Sequence, residues 1–462
     1  MAYELAVIDP GLMELGGHHA GFATSLQELL AQGGASAPKR VKIYAHTAID
    51  QRLAQQLMPD ECAGKMEVEL LFSTNFYQLF EKQNTIADAN SYINKLAREY
   101  FKALLAYYDE YEYRRTKQKQ VNKALFFYPC LSWEHANALS IALSMLDSKQ
   151  HGQHTVDAQH VVCAMYNPGI NHQGSTTNLS QRVKFYHGFR RLARHACVRI
   201  FASDKELSTQ YQQLLQMPKP LPIHPCYLLD WAQLANTQIA SNKVNQVATV
   251  LLYSGDAKQN KGINLVPELV DVLANNSPQL QLQLQLQVQY TISWQYPEIA
   301  EALVKLSQQA EQYSNFSLYN QFWNQSELIQ HLIDAEVVLL PYNAKTYSDK
   351  SSGFLWLCAA LNKPVILLGE SWLSREAKRL GVNLTIVPEL NVVPSDCNAA
   401  ENYINSIAKA ILGVVVHKAE KLAEDKSIMP ADTSEPEVVT QYRAQIFGAM
   451  FDWFKLLSKR PT

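Results

Sequence analysis

The sequence predicts an α/β protein that contains two doubly wound parallel sheets. In both halves of the chain, short apolar runs alternate with segments of helical periodicity, the pattern of parallel strands covered by helices on both faces. The stretch Met217–Cys226 holds four prolines in ten residues, which neither a helix nor a central strand tolerates, so it is interpreted as a linker between two domains. A length of 462 residues fits this division.

The first half opens with a strand over Tyr3–Asp9, a glycine loop and a helix over Ala23–Gln32. A long helix is predicted from about Ala87 to Gln120. Apolar runs predict five further strands: Val41–Ala45, Glu67–Phe72, Ala124–Tyr128, His160–Met165 and Cys197–Phe201.

The loop after the first strand is a candidate ligand site. Gly16 and Gly17 allow backbone to approach a ligand closely, and His18 and His19 place two imidazoles at the loop's exit. Loops that follow strands carry the sites of open α/β sheets. The spacing is not the dinucleotide fingerprint, and a tight turn before a polar helix start is the alternative interpretation.

The second half restarts with a strand, Gln246–Tyr253, and the loop SGDAKQNKG, in which Gly255 and Gly262 bracket Lys258 and Lys261. Cations beside a helix N-terminus predict an anion site. The loop lacks the GKS or GKT ending of a Walker A motif, which argues against an ATPase.

The segment Glu336–Leu368 reads as strand, polar loop, helix and strand. The helix is predicted to begin near Ser351, Ser352 and Gly353, where its first backbone N–H groups lack partners within the helix and attract anions. Charged and hydroxyl side chains in this loop could hold a phosphate that carries a polyhydroxylated group: Lys345, Tyr347, Ser348, Asp349, Lys350, Ser351 and Ser352. An ordinary serine-capped turn is the alternative.

The remaining segments of the second half are predicted from periodicity and composition. Strict alternation in Gln279–Tyr290 predicts a strand with one polar face, at an edge of the sheet. Lys421–Pro436 is polar and expected to be mobile, and Val438–Leu457 is an amphipathic aromatic helix. Shorter elements are predicted at Ile263–Ala274, Asn315–Leu318, Leu373–Leu380 and Asn383–Val387.

Charge and cysteine content restrict the class of function. A formal net charge of −2 gives no whole-chain attraction to nucleic acid or anionic lipid. Two basic tracts, 113–123 and 182–195, could make peripheral contact with a membrane or an acceptor phosphate, or could be solvated helix faces. The seven cysteines are widely spaced without a CxxC pair, which favours free thiols over a zinc site or disulfides. No signal peptide and no run of about twenty apolar residues is seen, so a cytoplasmic location is expected.

Several stretches together resemble a GT-B glycosyltransferase, specifically the retaining family four of bacterial glycan biosynthesis. CVRIFASDKELSTQYQQL followed by PLPIHP resembles that family's exit from the first domain, and LLYSGDAKQNKGINLVPELV resembles its phosphate-binding strand and loop. The segment SELIQHLIDAEVVLLPY…SSGFLWLCAALNKPVIL is similar to its most recognisable stretch.

The resemblance implies two Rossmann-like domains that face a cleft. Residues 1–216 would form the acceptor-side domain, 217–228 the linker, 229–436 the donor-side domain, and 437–462 a helix that crosses back to the first domain. A UDP- or GDP-sugar would be the donor without a required cofactor or metal, and a glycan, lipid-linked or protein group the acceptor. Nucleic acid is not implied as a partner.

The family's site residues carry over only where this sequence matches. Gly16 and Gly17 correspond to the glycine loop, Lys261 to the diphosphate-binding lysine, and Ser351–Gly353 to the helix start that receives the distal phosphate and sugar. Lys258 stands near a position where arginine or lysine is common. Two glutamates eight positions apart flank this point in the family; here the positions are Asp349, which could hold a sugar hydroxyl, and Leu357, which cannot bind ribose.

Retaining enzymes of this class are thought to let the leaving phosphate take the acceptor proton. If a side chain assists, the candidates are His18, His19 and His135, which follows the strand Ala124–Tyr128 in CLSWEHAN. A sugar-nucleotide 2-epimerase and a non-catalytic sugar-nucleotide-binding or partner subunit share the scaffold and remain open. An NAD-dependent oxidoreductase is disfavoured because the glycine spacing is missing.

Overall fold

The structure, a computed structural model, describes residues 3–15, 17–32, 37–58, 65–74, 76, 86–118, 123–149, 158–169, 179–224, 248–287, 297–321, 323, 325–389 and 397–427. The chain divides into two compact units whose main segments are Met1–Asp230 and Trp231–Gly448. The finer domain limits given above stay predictions, and the C-terminal helix over 437–462 lies outside the described residues.

The first unit contains a parallel sheet of six strands in the order β3-β2-β1-β4-β5-β6. The strands are β1 (Tyr3–Ile8), β2 (Arg40–His46), β3 (Met66–Phe72), β4 (Lys123–Leu131), β5 (Ala158–Ala164) and β6 (Val198–Ala202). The helices are α1 (Gly17–Gln32), α2 (Gln51–Gln56), α3 (Ile86–Gln118), α4 (Trp133–Lys149), α5 (Leu179–Leu192) and α6 (Lys205–Leu215).

Alternation along the strands of this sheet buries both of its faces. In β1, Leu5 and Val7 belong to one apolar cluster, which includes Leu26 of α1. The intervening Ala6 belongs to a second cluster, which includes Tyr100 of α3. Side chains of a strand point alternately to opposite faces, so two separate cores confirm the predicted doubly wound arrangement.

The second unit repeats this architecture, with a parallel sheet in the order β12-β11-β10-β7-β8-β9. Its strands are β7 (Ala248–Asp256), β8 (Leu280–Gln287), β9 (Phe316–Tyr319), β10 (Ala335–Leu340), β11 (Val365–Leu368) and β12 (Leu384–Val387). Its helices are α7 (Val266–Asn276), α8 (Pro297–Gln312), α9 (Gln325–Asp334), α10 (Gly353–Ala360), α11 (Trp372–Leu380) and α12 (Cys397–Ser427).

The glutamine-rich strand β8 is not an edge strand, so that expectation was wrong. It pairs with β7 on one side and with β9 on the other. Leu280, Leu282 and Leu284 are buried in the apolar core, as alternation predicts. Two of its glutamines contact polar groups of neighbouring elements: Gln281 donates to Ser317 Oγ at 3.0 Å, and Gln283 Oε1 lies 3.1 Å from His331 Nδ1.

Gln285 of β8 is the most constrained of these glutamines. Its Oε1 accepts hydrogen bonds from the Ser254 hydroxyl and the Gly255 N–H, both at 2.9 Å, while its amide donates to the Gln321 carbonyl at 3.0 Å. The side chain is 2% exposed. It therefore fixes the end of β7.

We expect Gln285→Ala to lower the free energy of unfolding by about 1–3 kcal/mol, because it leaves the buried Ser254 hydroxyl and the partly buried Gly255 N–H without their acceptor. Gln281→Ala, on the same face of the strand, removes a single bond in a partly buried place and should cost less. Urea unfolding of both variants measures the difference, and equal losses would contradict this role for Gln285.

Part of the predicted linker belongs to the first sheet. Ile223 forms a parallel bridge with Ala202 of β6, with hydrogen bonds from Ala202 N to the Pro222 carbonyl at 3.0 Å and from His224 N to the Ala202 carbonyl at 2.8 Å. Prolines are tolerated there because, among the described residues, this segment pairs on one side only. Residues 225–228 lie outside the described part of the chain.

The mobility expected for the polar stretch 421–436 stays a prediction. Its first seven residues continue α12 as far as Ser427. The rest of that stretch lies outside the described residues. Among the described helices, none is both long enough and apolar enough to cross a bilayer.

The two basic tracts contribute to packing within the first unit. Arg114 Nη2 lies 2.6 Å from Glu4 Oε2, and its Nη1 lies 2.5 Å from Glu110 Oε1. In the second tract, Lys184 Nζ lies 5.3 Å from the Trp133 ring centre, and Arg190 donates to the Leu215 carbonyl at 3.5 Å. The contacts of Lys184 and Arg190 hold α5 against α4 and α6. None of the contacts in either tract supports an interaction with a membrane.

Candidate functional site

The strand order of the second sheet creates a place for a ligand beyond β7 and β10. These strands are neighbours, but the chain continues from β7 to one side of the sheet and from β10 to the other. Their following loops therefore diverge at the carboxyl edge, where open α/β sheets bind ligands. The two loops, 257–265 and 341–352, contain most of the predicted phosphate-binding residues.

Backbone contacts hold these two loops together. Asn343 N donates to the Asn260 carbonyl at 3.1 Å. Gly262 has φ +76°, and a Cβ atom there would lie 2.0 Å from the Pro341 carbonyl oxygen. Only glycine allows both this backbone conformation and this approach.

Three lysines converge on this place. The ammonium group of Lys261 lies 5.7 Å from the Tyr342 ring centre and 3.1 Å from the position that a Cβ atom of Gly255 would occupy. Lys350 Nζ lies 5.4 Å from the Tyr347 ring centre, and Lys258 Nζ lies 2.5 Å from Asp256 Oδ2. We call Lys258, Lys261 and Lys350 the lysine cluster.

The lysine cluster has more positive groups than described carboxylates that pair with them. Burial, which is the largest cause, and the charges of Lys258 and Lys350 together lower the pKa of Lys261 to about 8, against the opposing effect of Asp256. Burial, followed by Lys258, also lowers the pKa of Lys350. Within the described part of the chain, Asp256 is the one carboxylate that pairs with a member of the cluster. An anion would compensate the remaining positive charge.

The helix α10 adds backbone donors beside this cluster. Ser352 occupies its N-cap position with extended backbone, but the serine hydroxyl makes no capping hydrogen bond. The helix therefore begins at Gly353, as predicted, without the side-chain cap of the alternative interpretation. Its first N–H groups and the positive end of its dipole are suited to an anion.

Other predicted residues of this loop have different environments. Tyr347 is 4% exposed, and its ring packs 4.7 Å from that of Tyr342, so it supports the loop mainly through its ring. Asp349 is 38% exposed and lies 3.9 Å from Arg375 Nη2, with the Ser348 hydroxyl donating to it at 3.1 Å. A carboxylate in this position can accept a hydrogen bond from a sugar hydroxyl.

Leu357 is 1% exposed and lies in the wholly apolar part of α10. The position that holds the ribose-binding glutamate in the resembled family is thus part of the core here. If this chain binds a nucleotide, another group contacts the ribose.

The first sheet has its own switch point between β1 and β4. Gly17 begins α1 with φ +83°, and His18 and His19 follow in its first turn, whereas Gly16 lies outside the described residues. His19 Nδ1 lies 2.9 Å from Asp9 Oδ2. A nitrogen of each histidine and the sulfur of Cys130 lie within 4.8 Å of one another, so the fold builds a His/Cys cluster that the sequence did not predict.

His135 lies at the start of α4, after β4, as its sequence position predicted. Ser132 Oγ is 2.7 Å from its Nδ1, and the Tyr92 hydroxyl is 3.3 Å from its Nε2. The ring of Phe76 packs against it at 4.5 Å. With both nitrogens engaged and 5% exposure, its contacts are those of a structural histidine, and its catalytic role stays a prediction.

Comparison with known proteins identifies the fold. No protein-family model and no curated protein matches the sequence. Among solved structures, the chain is similar to a UDP-forming trehalose-phosphate synthase from Burkholderia xenovorans in complex with glucose-6-phosphate, with 8% identity, 98% of each chain covered and a TM-score of 0.57. The corresponding enzyme from Burkholderia vietnamiensis gives 9% identity, coverage of 100% of this chain and 99% of that chain, and a TM-score of 0.53. The chain has the GT-B fold.

A third GT-B neighbour is sucrose-phosphate synthase from Thermosynechococcus elongatus, with 16% identity, 97% of this chain and 99% of that chain covered, and a TM-score of 0.50. The fold predicted from the sequence is therefore confirmed, and the finer assignment to family four stays a prediction. Within the GT-B second unit, the structure brings together Gly255, the lysine cluster and Ser351–Gly353.

Sequence reasoning missed three groups of this site: Asp256, Tyr342 and Arg375. Asp256 stands directly after Gly255, so an acid within a basic loop was a usable signal. Tyr342 reaches Lys261 from the other loop, and Arg375 reaches Asp349 from α11, so neither contact has a local signature.

Proposed function

We propose that this chain transfers a sugar from a nucleotide-diphosphate sugar to an acceptor hydroxyl with retention of anomeric configuration. The observation that supports this most directly is the lysine cluster, whose charge exceeds that of Asp256 at the switch point of the second sheet. A diphosphate supplies the missing negative charge. The resemblance of the surrounding motifs supplies the reaction class.

The residues have distinct roles in this proposal. Lys261 and Lys258 hold the diphosphate, Lys350 and the N–H groups of Ser351–Gly353 hold the distal phosphate, and Asp349 accepts from a sugar hydroxyl. The bond between the anomeric carbon and the diphosphate oxygen breaks while the acceptor oxygen bonds on the same face. The acceptor proton passes to the departing phosphate. Preorganised cations and N–H groups stabilise the charge that develops there.

The acceptor is proposed to be a sugar phosphate. One of the similar GT-B structures is a complex with glucose-6-phosphate, and the others are named as trehalose-phosphate and sucrose-phosphate synthases. Those names also make UDP the first donor nucleotide to test. A glycan, lipid-linked or protein acceptor, which the resemblance implied, receives no support from these neighbours.

The test measures nucleotide release from UDP-glucose and GDP-sugars, with and without glucose-6-phosphate or other sugar phosphates. Release that requires the acceptor, together with a disaccharide phosphate of retained configuration, is expected. If no nucleoside diphosphate raises the thermal midpoint and no donor is turned over, the proposal is wrong.

A non-catalytic sugar-nucleotide-binding subunit is the second candidate, and the buried Leu357 favours it. The nucleotide-release assay distinguishes this candidate from a transferase, since such a protein would bind a nucleoside diphosphate but release none from any donor. A 2-epimerase would instead yield free nucleotide or an epimerised sugar without acceptor.

Binding of a nucleoside diphosphate should depend on pH through Lys261. Below about pH 8 the free protein already carries the charged ammonium, whereas above it the amine must take up a proton on binding. The affinity for UDP is therefore expected to fall as pH rises from 8, by up to about tenfold per unit. Calorimetry on the wild type and on Lys261→Met checks this, because the variant should retain only the slope due to the ligand and the other lysines. Equal slopes would contradict the assignment.

A further inference from the structure

The first sheet carries a group of potential metal ligands at its switch point. Because β1 and β4 are adjacent parallel strands, the start of α1, which follows β1, meets the end of β4. A nitrogen of His18, a nitrogen of His19 and the sulfur of Cys130 all lie within 4.8 Å of one another. We propose that these three side chains bind a zinc ion, a property that the proposed sugar transfer does not require.

The environment of His19 supports this assignment. Its Nδ1 lies 2.8 Å from Oδ1 and 2.9 Å from Oδ2 of Asp9, whose side chain is 3% exposed. The Gly11 N–H in turn donates to Asp9 Oδ1 at 3.1 Å. Histidines that ligate metals usually donate their second ring N–H to a carboxylate or carbonyl, which fixes the tautomer. Asp9 thus leaves Nε2 as the ligand atom of His19.

The backbone of Gly11 packs against the ring of His19. A Cβ atom at this position would lie 2.4 Å from His19 Cε1 and 2.5 Å from Nε2, so the backbone contacts the imidazole directly. The rings of His18 and His19 are 4.1 Å apart and tilted by 36°. Two successive imidazoles are thereby held at the edge of the sheet where Cys130 stands, next to the last residue of β4.

The ligand set and spacing suit zinc. Ligand atoms around a tetrahedral zinc with Zn–N of about 2.0–2.1 Å and Zn–S of about 2.3 Å are roughly 3.3–3.6 Å apart. The ligand atoms of this cluster, all within 4.8 Å of one another, would move closer together on binding the ion. Imidazole and thiolate select zinc over magnesium or calcium, and three protein ligands leave a fourth position for water or another oxygen.

The experiment uses the full chain, stripped of metal by a chelator, and titrates it with Co²⁺ as a spectroscopic probe for zinc. One equivalent is expected to produce a thiolate-to-cobalt charge-transfer band, which Zn²⁺ then abolishes. Cys130→Ser should lose the band, and His18→Ala should weaken binding at least tenfold. Asp9→Asn should keep the band and lose about 10–100-fold in affinity, as expected for a positioning residue.

Cys163→Ser is the matched control. Its thiol is buried in the neighbouring strand β5 and donates to the His224 carbonyl, which a serine hydroxyl can also do. This variant should bind Co²⁺ with an unchanged band. Circular dichroism without metal establishes that each variant is folded.

Absence of the band in the wild type overturns the proposal whatever the variants do. It is also overturned if the band persists in Cys130→Ser or disappears in Cys163→Ser. No nucleotide is present in these measurements, so their outcome is separate from that of the sugar-transfer assay.

Discussion

The Lys261→Met variant is expected to bind a nucleoside diphosphate about ten- to a hundredfold more weakly than the wild type. A hydrogen bond to a charged group contributes roughly 1.5–3 kcal/mol, which corresponds to that range. Lys261 faces the other two lysines and has no ion pair with a described carboxylate, so its charge is available to the diphosphate. Calorimetric titration with UDP measures the change, and sugar transfer should fall at least as much.

The same substitution should leave the ligand-free protein as stable as before or make it more stable. The pKa of Lys261 is lowered to about 8 in the folded state, so its charged form costs stability below that pH, and the cost disappears as pH rises toward the ordinary lysine value. Methionine removes the charge and keeps a side chain that can contact Tyr342. Opposite effects on binding and on stability are characteristic of a residue retained for function.

Lys305→Met is the control for this pair of measurements. Lys305 belongs to the same unit, is 40% exposed, and lies 3.2 Å from Glu268 and 2.9 Å from Asp271. Its loss should leave UDP binding unchanged. The assignment of Lys261 would be wrong if its variant bound UDP as tightly as the wild type does.

Gly262→Ala is expected to have the largest effect on stability, lowering the free energy of unfolding by roughly 3–5 kcal/mol. A residue with a side chain in this left-handed conformation costs on the order of 1–3 kcal/mol by itself. In addition, the new methyl group would collide with the Pro341 carbonyl at 2.0 Å, and a backbone atom cannot move aside as a side chain can. Separating the two loops should also weaken UDP binding.

Gly381→Ala separates the cost of the left-handed backbone conformation from the cost of the collision with Pro341. Gly381 has φ +68° at the end of α11, and a Cβ atom there would meet nothing within 4 Å. Its variant should lose only the conformational part. Chemical unfolding of both proteins compares them, and similar losses would show that the contact between Gly262 and Pro341 is unimportant.

The strand β8 shows where sequence reasoning reached its limit. Alternation located the strand and its polar face, because side-chain periodicity is a local property. It could not locate the strand within the sheet, since glutamine is as compatible with hydrogen-bonded neighbours as with water. The partners of Gln283 and Gln285 come from segments 30 or more residues away.

The histidines show that the same limit applies to candidate functional residues. The glycine loop and His18 and His19 were found as a candidate site, but Cys130 was interpreted as an isolated thiol because it is more than a hundred positions distant. His135 was found after a strand, as predicted, yet Ser132 and Tyr92 occupy its ring nitrogens. Neither the His/Cys cluster nor the set of groups around His135 has a residue spacing that could be recognised in the sequence.

By itself, the sequence determined the alternation of strands and helices, the lysines in the loop after β7 and the helix start at Gly353. These features depend on periodicity, glycine and proline placement and the polarity of neighbouring residues. Only the tertiary structure decided that β10 lies beside β7 and β4 beside β1, and hence which loops share an edge. The convergence of Lys258 and Lys261 with Lys350, and of His18 and His19 with Cys130, follows from strand order, which depends on contacts between distant segments.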